Sequence, residues 1–261
     1  MNKLLTGFGI AVTRPIDQAQ RLCLAIEQQA GTAFLFPLIA IAPLDDYSAF
    51  EQSLSQLESV SWAIFISTNA VDNAMPRIIQ KFATVPENVK FAAIGHQTAK
   101  QLGLYGVHNV LVPHTRFDSE SLLALPEMRD VADQTVMIFR GVGGREVLAD
   151  TLKARGARLI FAESYRRVNP QTSCAALESL WQKQQLHAIV VTSSEAMRHL
   201  LQMTHNGSDE WIRSIHICVN HARIAEEADA LALNALNVHI ADAPGDEAIL
   251  VCLQQTLVNQ P

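Results

Sequence analysis

Short apolar runs alternate with amphipathic stretches from one end of the chain to the other. Ile10–Thr13, Thr32–Phe36, Trp62–Ser67, Phe91–Ile94, Val110–Val112, Thr135–Phe139, Arg158–Ala162, Ala188–Thr192, His216–Val219 and Val238–Ala241 read as strands. Most are nearly continuous in apolar residues, the pattern of parallel strands covered on both faces. Helical periodicity fills the gaps, as over Asp17–Ala30, Gln97–Leu104, Arg145–Arg155 and Ala222–Leu233. Gly31 and Gly156 follow helices where a left-handed cap residue is wanted. Regular β–α alternation predicts an α/β fold with parallel sheets.

The pattern also repeats. Arg14 aligns with Arg140, Gly31 with Gly156, Ile64 with Ile189 and Ile94 with Val219, at offsets of 125 or 126 residues. Each half therefore reads as a five-stranded unit of one order. Two segments break the alternation at equivalent places, Pro37–Leu44 and Glu163–Pro170. Each follows the second strand of its half, and each suits a hinge where the chain crosses between domains.

Composition narrows the class. The 261 residues are 49% hydrophobic and 18% charged, which allows sizeable cores and argues against disorder. With 20 Lys+Arg against 26 Asp+Glu the formal charge is −6, so a dedicated nucleic-acid binder is not expected. Four cysteines without a CxxC pair suit a reducing compartment. No signal-peptide pattern opens the chain, and the uncharged stretch 28–44 is broken by Gly31, Pro37 and Pro43. A cytoplasmic protein is expected, with no membrane contact.

In parallel α/β sheets, ligands bind beyond the carboxyl ends of the strands. Those positions hold Arg14, then Ser67 and Asn69, then Gly95 and Thr98, in the first half. The second half places Arg140, Gly141 and Arg145, then Ser193 and Ser194, then Asn220 and His221 there. Small, hydroxylic or basic residues opening helices make anion sites out of free N–H groups. A plain helix cap accounts for any one of the serines equally well. Gly141–Gly144 is a poor phosphate loop, because Glu146 stands where a dinucleotide motif wants glycine. No HExxH, GxSxG or P-loop pattern occurs, so no metal or cofactor is expected. Tyr165 lies in the second hinge segment beside Arg166 and Arg167, away from any obvious core position. A phenol there can donate to a ligand, or simply pack on its partner strand.

These residues form a series. Val12-Thr13-Arg14-Pro15, Phe65–Val71, Ala93-Ile94-Gly95 with Thr98-Ala99, Phe139-Arg140-Gly141 with Gly144-Arg145-Glu146 and Leu148, and Tyr165-Arg166-Arg167 resemble the uroporphyrinogen-III synthase family. The resemblance covers essentially the whole chain. It implies an α/β fold of two similar domains, each a parallel five-stranded sheet flanked by helices, joined by a two-stranded β-ladder. Carried over, one domain takes 1–36 and 171–261, the other 44–162, and 37–43 with 163–170 form the hinge strands.

The implied activity is a cofactor-free cyclising lyase of haem biosynthesis. Hydroxymethylbilane, a linear tetrapyrrole with eight carboxylates, loses water and closes with inversion of its last pyrrole ring. The resemblance makes Tyr165 the catalytic candidate. Arg14, Ser67, Asn69, Gly95, Thr98, Arg140, Gly141, Arg145, Ser193, Ser194 and His221 become substrate-binding candidates. The chain departs from the family pattern at Asn220 and Arg223, where a glycine and a threonine are common. A monomer is expected, with at most transient contact to the enzyme that supplies the substrate. A non-catalytic two-domain anion-binding protein and a sugar-nucleotide transferase are the competing readings.

Overall fold

The computed structural model describes residues 3–114, 117–143, 146–232 and 236–258. The chain divides into two compact units, Met1–Ala40 with Val168–Pro261 (unit 1) and Ile41–Arg167 (unit 2). The strands are β1 Gly9–Val12, β2 Thr32–Leu35, β3 Ala40–Ala42, β4 Trp62–Phe65, β5 Lys90–Ala93, β6 Val110–Leu111, β7 Thr135–Gly141, β8 Arg158–Val168, β9 Ala188–Val191, β10 His216–Val219 and β11 Asn237–Ile240. The helices are α1 Ile16–Gln28, α2 Ser48–Leu54, α3 Thr68–Phe82, α4 His96–Gly103, α5 Ser119–Ala124, α6 Val147–Ala154, α7 Ala175–Gln182, α8 Ser194–Met203, α9 Glu210–Ser214, α10 Ala222–Ala232 and α11 Asp246–Val258.

One sheet runs β11-β10-β9-β1-β2, the other β3-β8-β7-β4-β5-β6. The neighbours β1/β2, β1/β9, β9/β10 and β10/β11 pair in parallel, as do β4/β5, β4/β7, β5/β6 and β7/β8. Without β3 the two orders are the same, with the halves of the chain exchanged. The first two strands of one half stand beside the last three of the other. The strand order reverses between β1 and β9 in unit 1 and between β7 and β4 in unit 2.

Burial follows the strand positions. Central β1, β4 and β9 are buried at every residue, while edge strands β2 and β11 are exposed at both ends. Side chains alternate between two cores. In unit 1, Ile10 and Val12 join α1 and α11, whereas Ala11, Ile189 and Val191 join α7 to α10. In unit 2, Ala63, Phe65 and Phe139 meet α2, α3 and α4, whereas Trp62, Ile64 and Ile138 meet α5 and α6.

The structure changes three expectations. The sheet of unit 2 has six strands rather than five. The segment expected as the second ladder strand is the tail of β8, continuous with Arg158–Ala162, and β3 lies beside β8 at the sheet edge. The strand runs on past Ala162 without a break, and Val142 N–H donates to Tyr165 O at 2.8 Å to extend the β7/β8 pairing. Gly156 has the left-handed conformation expected of a cap, but at the other helix end Ala30 takes it instead of Gly31. Gly31 is required for space, since a Cβ there would lie 2.9 Å from Ile26 Cγ2.

Candidate active site

Within each unit the switch point of the sheet gathers residues singled out by sequence. In unit 1, Arg14 lies two residues past β1 and reaches the residue before the α8 cap, beyond β9. Its Nε donates to Thr192 Oγ1 at 3.2 Å, and its Nη1 is paired with Asp246 at the start of α11. Ser193 caps α8, its Oγ accepting from Ala196 N–H at 3.1 Å. Ser194 Oγ and Asn220 Oδ1 are buried atoms without a hydrogen-bond partner among the described residues. His221 is exposed, and its Nδ1 accepts from Arg223 N–H at 3.2 Å, opening α10.

In unit 2 the same frame holds different groups. Ser67 caps α3, accepting from Ala70 N–H at 3.1 Å, and its Oγ lies 3.2 Å from the Tyr165 hydroxyl. Asn69 follows on the first turn of α3, half-buried. Gly95 precedes α4, whose Thr98 turns its side chain inward and is buried. Arg145 and Gly144 lie outside the described residues. Gly143 is left-handed, and its N–H donates to Glu163 Oε1 at 3.3 Å.

Tyr165 corrects the reading that placed it away from the core. It is 1% exposed and belongs to the core formed with α2, α3 and α4. The cause is a bulge in β8. Arg140 pairs with Glu163 but Gly141 pairs with Tyr165, so Ser164 is skipped. The extra residue shifts the alternation and turns Tyr165 onto the face of Ala162. Gly141 makes room for it, because a Cβ there would lie 2.5 Å from Tyr165 Cε2. Ser164 is left fully buried, its hydroxyl without a hydrogen-bond partner among the described residues.

The arginine candidates Arg14 and Arg140 are both already ion-paired. Arg140 is 6% exposed, with Nη2 donating to Glu146 Oε1 at 3.1 Å and Nε at 3.3 Å from Glu163 Oε1. Its guanidinium lies over the Phe161 ring, 4.5 Å from the centroid. A buried guanidinium charge needs counter-charges close by, and the two carboxylates supply them. Asp246, Glu146 and Glu163 therefore stand against candidate site residues, and the sequence reading named none of them as a candidate. Asp246 had a signal, an acid opening a helix just after Gly245, but its partner lies 232 residues away.

The cysteines are all free thiols, with Cys174, Cys218 and Cys252 buried and Cys23 half-buried. Burial pushes the Cys174 thiol up to about 12. A thiol hydrogen bond with Cys252 and burial raise Cys218 as well. Among the described residues no group of three or more His, Cys, Asp or Glu side chains is placed to hold a metal ion, and no helix is long and apolar enough to cross a membrane.

Residues 20–250 match the family described as "Uroporphyrinogen-III synthase HemD". The uroporphyrinogen-III synthase of Escherichia coli is 31% identical over 246 residues, 94% of this chain and 99% of that protein. That of Salmonella typhimurium is 30% identical over the same extent. A mutant uroporphyrinogen III synthase from Thermus thermophilus superposes with a TM-score of 0.63 at 14% identity, covering 97% of this chain and all of that one. The synthetase from Helicobacter pylori gives 0.55 at 17%, covering 94% and 97%. These two support the fold alone. The match over most of its length places this chain in the uroporphyrinogen-III synthase family, a family of cyclising lyases in haem biosynthesis.

Proposed function

We propose that the chain turns hydroxymethylbilane into uroporphyrinogen III, using the residues at the carboxyl ends of its two sheets. The carrying observation is the shared switch point: in each unit a clamped arginine and a serine-capped helix start converge there. Helix starts offer N–H groups to carboxylates without a dense positive patch, which suits a chain of charge −6.

The substrate's terminal hydroxyl leaves with a proton as water, and the resulting azafulvene carbon is attacked by the substituted carbon of the last ring. The spiro intermediate opens and recloses, then loses a proton to restore the aromatic ring. No oxidation or reduction occurs in this sequence. The enzyme's task is to hold a flexible polyanion so that the substituted carbon is nearest. Ser67, Asn69, Gly95 and Thr98 with their helix starts bind carboxylates from unit 2, and Ser193, Ser194 and His221 do so from unit 1. Arg14 and Arg140 keep N–H groups beyond those used by their carboxylate partners, and Arg145 adds a further cation. Tyr165 is the donor to the departing hydroxyl. It already shares its own hydroxyl with Ser67, and substrate competes for that bond. The enzyme acts as a cytoplasmic monomer, with the segments around 37–43 and 163–170 as its hinge.

The test generates hydroxymethylbilane in situ, adds the protein, oxidises the products and separates uroporphyrin I from III. Isomer III in proportion to protein supports the proposal. Isomer I alone, from folded protein, leaves an anion-binding protein instead.

A further inference from the structure

Large apolar side chains stand in solvent beside the proposed carboxylate anchors. Ile16 is 58% exposed and Val142 is 49% exposed. They occupy equivalent positions of the repeat, each two residues past the arginine at the carboxyl end of its strand region. Phe117 is 55% exposed, at the loop between β6 and α5. Its ring meets His96 edge-on, with centroids 4.9 Å apart at 66°, over the start of α4. A Cβ at Gly95 would touch Phe117 Cβ at 3.4 Å, so the aromatic ring sits directly against that helix start.

Single exposed apolar residues are ordinary. Here two of them recur at one place in both halves, although the neighbouring residues Pro15 and Gly141 differ. Their backbones are held. Ile16 opens α1 behind Pro15, and Val142 N–H is tied to Tyr165 O. The side chains are therefore presented at defined positions beside the anion sites.

We infer that Ile16, Val142 and Phe117 hold the faces of pyrrole rings whose carboxylate arms lie on the adjacent helix starts. The inference rests on the proposed function. A linear tetrapyrrole alternates flat apolar rings with charged arms. Anchoring the arms alone leaves each ring free to turn about its one-carbon bridges. Inversion of the last ring requires a particular ring orientation, which contact with a fixed apolar side chain supplies.

The test compares Ile16→Ser, Val142→Ser, Phe117→Ser and the triple variant with wild type. Leu24→Ser and Leu104→Ser, exposed apolar sites elsewhere on α1 and after α4, serve as controls. Each single variant raises KM for hydroxymethylbilane by about fivefold, the scale of a lost ring contact. The triple variant also raises the Kd of uroporphyrin III, read by fluorescence, and lowers the fraction of isomer III. Thermal midpoints and the control variants stay at wild-type values. If the triple variant, or all three single variants should it not fold, keep KM, Kd and isomer ratio within twofold of wild type, the inference is overturned. Wild type yielding only isomer I overturns the proposed function instead.

Discussion

An arginine stands at the carboxyl end of the first strand region of each half of this chain, and the two keep different company. Arg14, in unit 1, has one carboxylate close by, Asp246, and a threonine hydroxyl. Arg140, in unit 2, has two carboxylates and an aromatic face. The same divergence appears at the bulged position. Tyr165 in unit 2 aligns with Ile39 in unit 1, and both are buried, but only one brings a hydroxyl to a helix cap. Strand order and serine caps Ser67 and Ser193 are shared, so the repeat supplies a common frame. Chemistry enters through single residues at a few equivalent points. The units are alike where packing demands it and unlike where a side chain can face a ligand.

The largest break in the comparison is expected at the strand starts. Gly9 of β1 aligns with Thr135 of β7. A Cβ at Gly9 would lie 1.8 Å from the backbone oxygen of Gln185. Gly9→Ala should destabilise unit 1 by more than the ~1–3 kcal/mol of ordinary overpacking. Thr135→Ala should cost less than about 1 kcal/mol. Denaturant unfolding of both variants checks the contrast, and equal losses would show that the strand starts are not distinct.

Tyr165→Phe keeps the ring in the core and removes the bond to Ser67. Its expected stability loss is about 0.5–1.5 kcal/mol, with turnover slowed about tenfold to a hundredfold and not abolished. Ile39→Val at the unit 1 position should leave turnover unchanged. Steady-state rates of isomer III formation decide it.

The arginine clamps differ in redundancy. Asp246→Asn leaves a mostly buried guanidinium without its carboxylate and should cost about 2 kcal/mol. Glu146→Gln and Glu163→Gln should each cost less than about 1 kcal/mol, since the partly exposed other acid remains. Their double variant should lose more than the sum of the singles, a coupling that a double-mutant cycle measures.

The smallest effect concerns pH. Burial lowers the pKa of His187, His216 and His239, all in unit 1, and His239 lowers His216 further. His216 Nδ1 lies 3.1 Å from His239 Nε2. Above the unfolded value of about 6.5 both states are neutral and this stability is intact. As pH falls from there towards the lower folded values, the unfolded chain takes up protons that the folded one resists. The thermal midpoint should therefore drop between pH 7 and pH 5. His216→Gln with His239→Gln should shrink that drop, and an unchanged profile would remove the histidines as its cause.

Much of this was legible from the chain alone. Parallel strands covered on both faces need unbroken apolar runs such as Ala188–Val191, and such runs are visible without coordinates. The 126-residue spacing of Arg14 and Arg140 marked equivalent positions, and rules for helix starts picked out Ser67 and Ser193 as caps. These features are local or periodic, so neighbouring residues encode them.

What only the tertiary structure decided lies in long-range pairing. A one-residue bulge opposite Arg140 and Gly141 sends Tyr165 inward, and no local pattern announces a register shift against another strand. Likewise, Arg14 and Arg140 were legible as binding candidates, but only folding brings Asp246, Glu146 and Glu163 to them. A buried charge must find its counter-charge somewhere, but sequence spacing does not say where. The sequence by itself determined the α/β architecture, the repeat and the helix-start residues. Register and charge pairing, being contacts between distant segments, decided which of those residues are exposed, which are buried and which are already engaged.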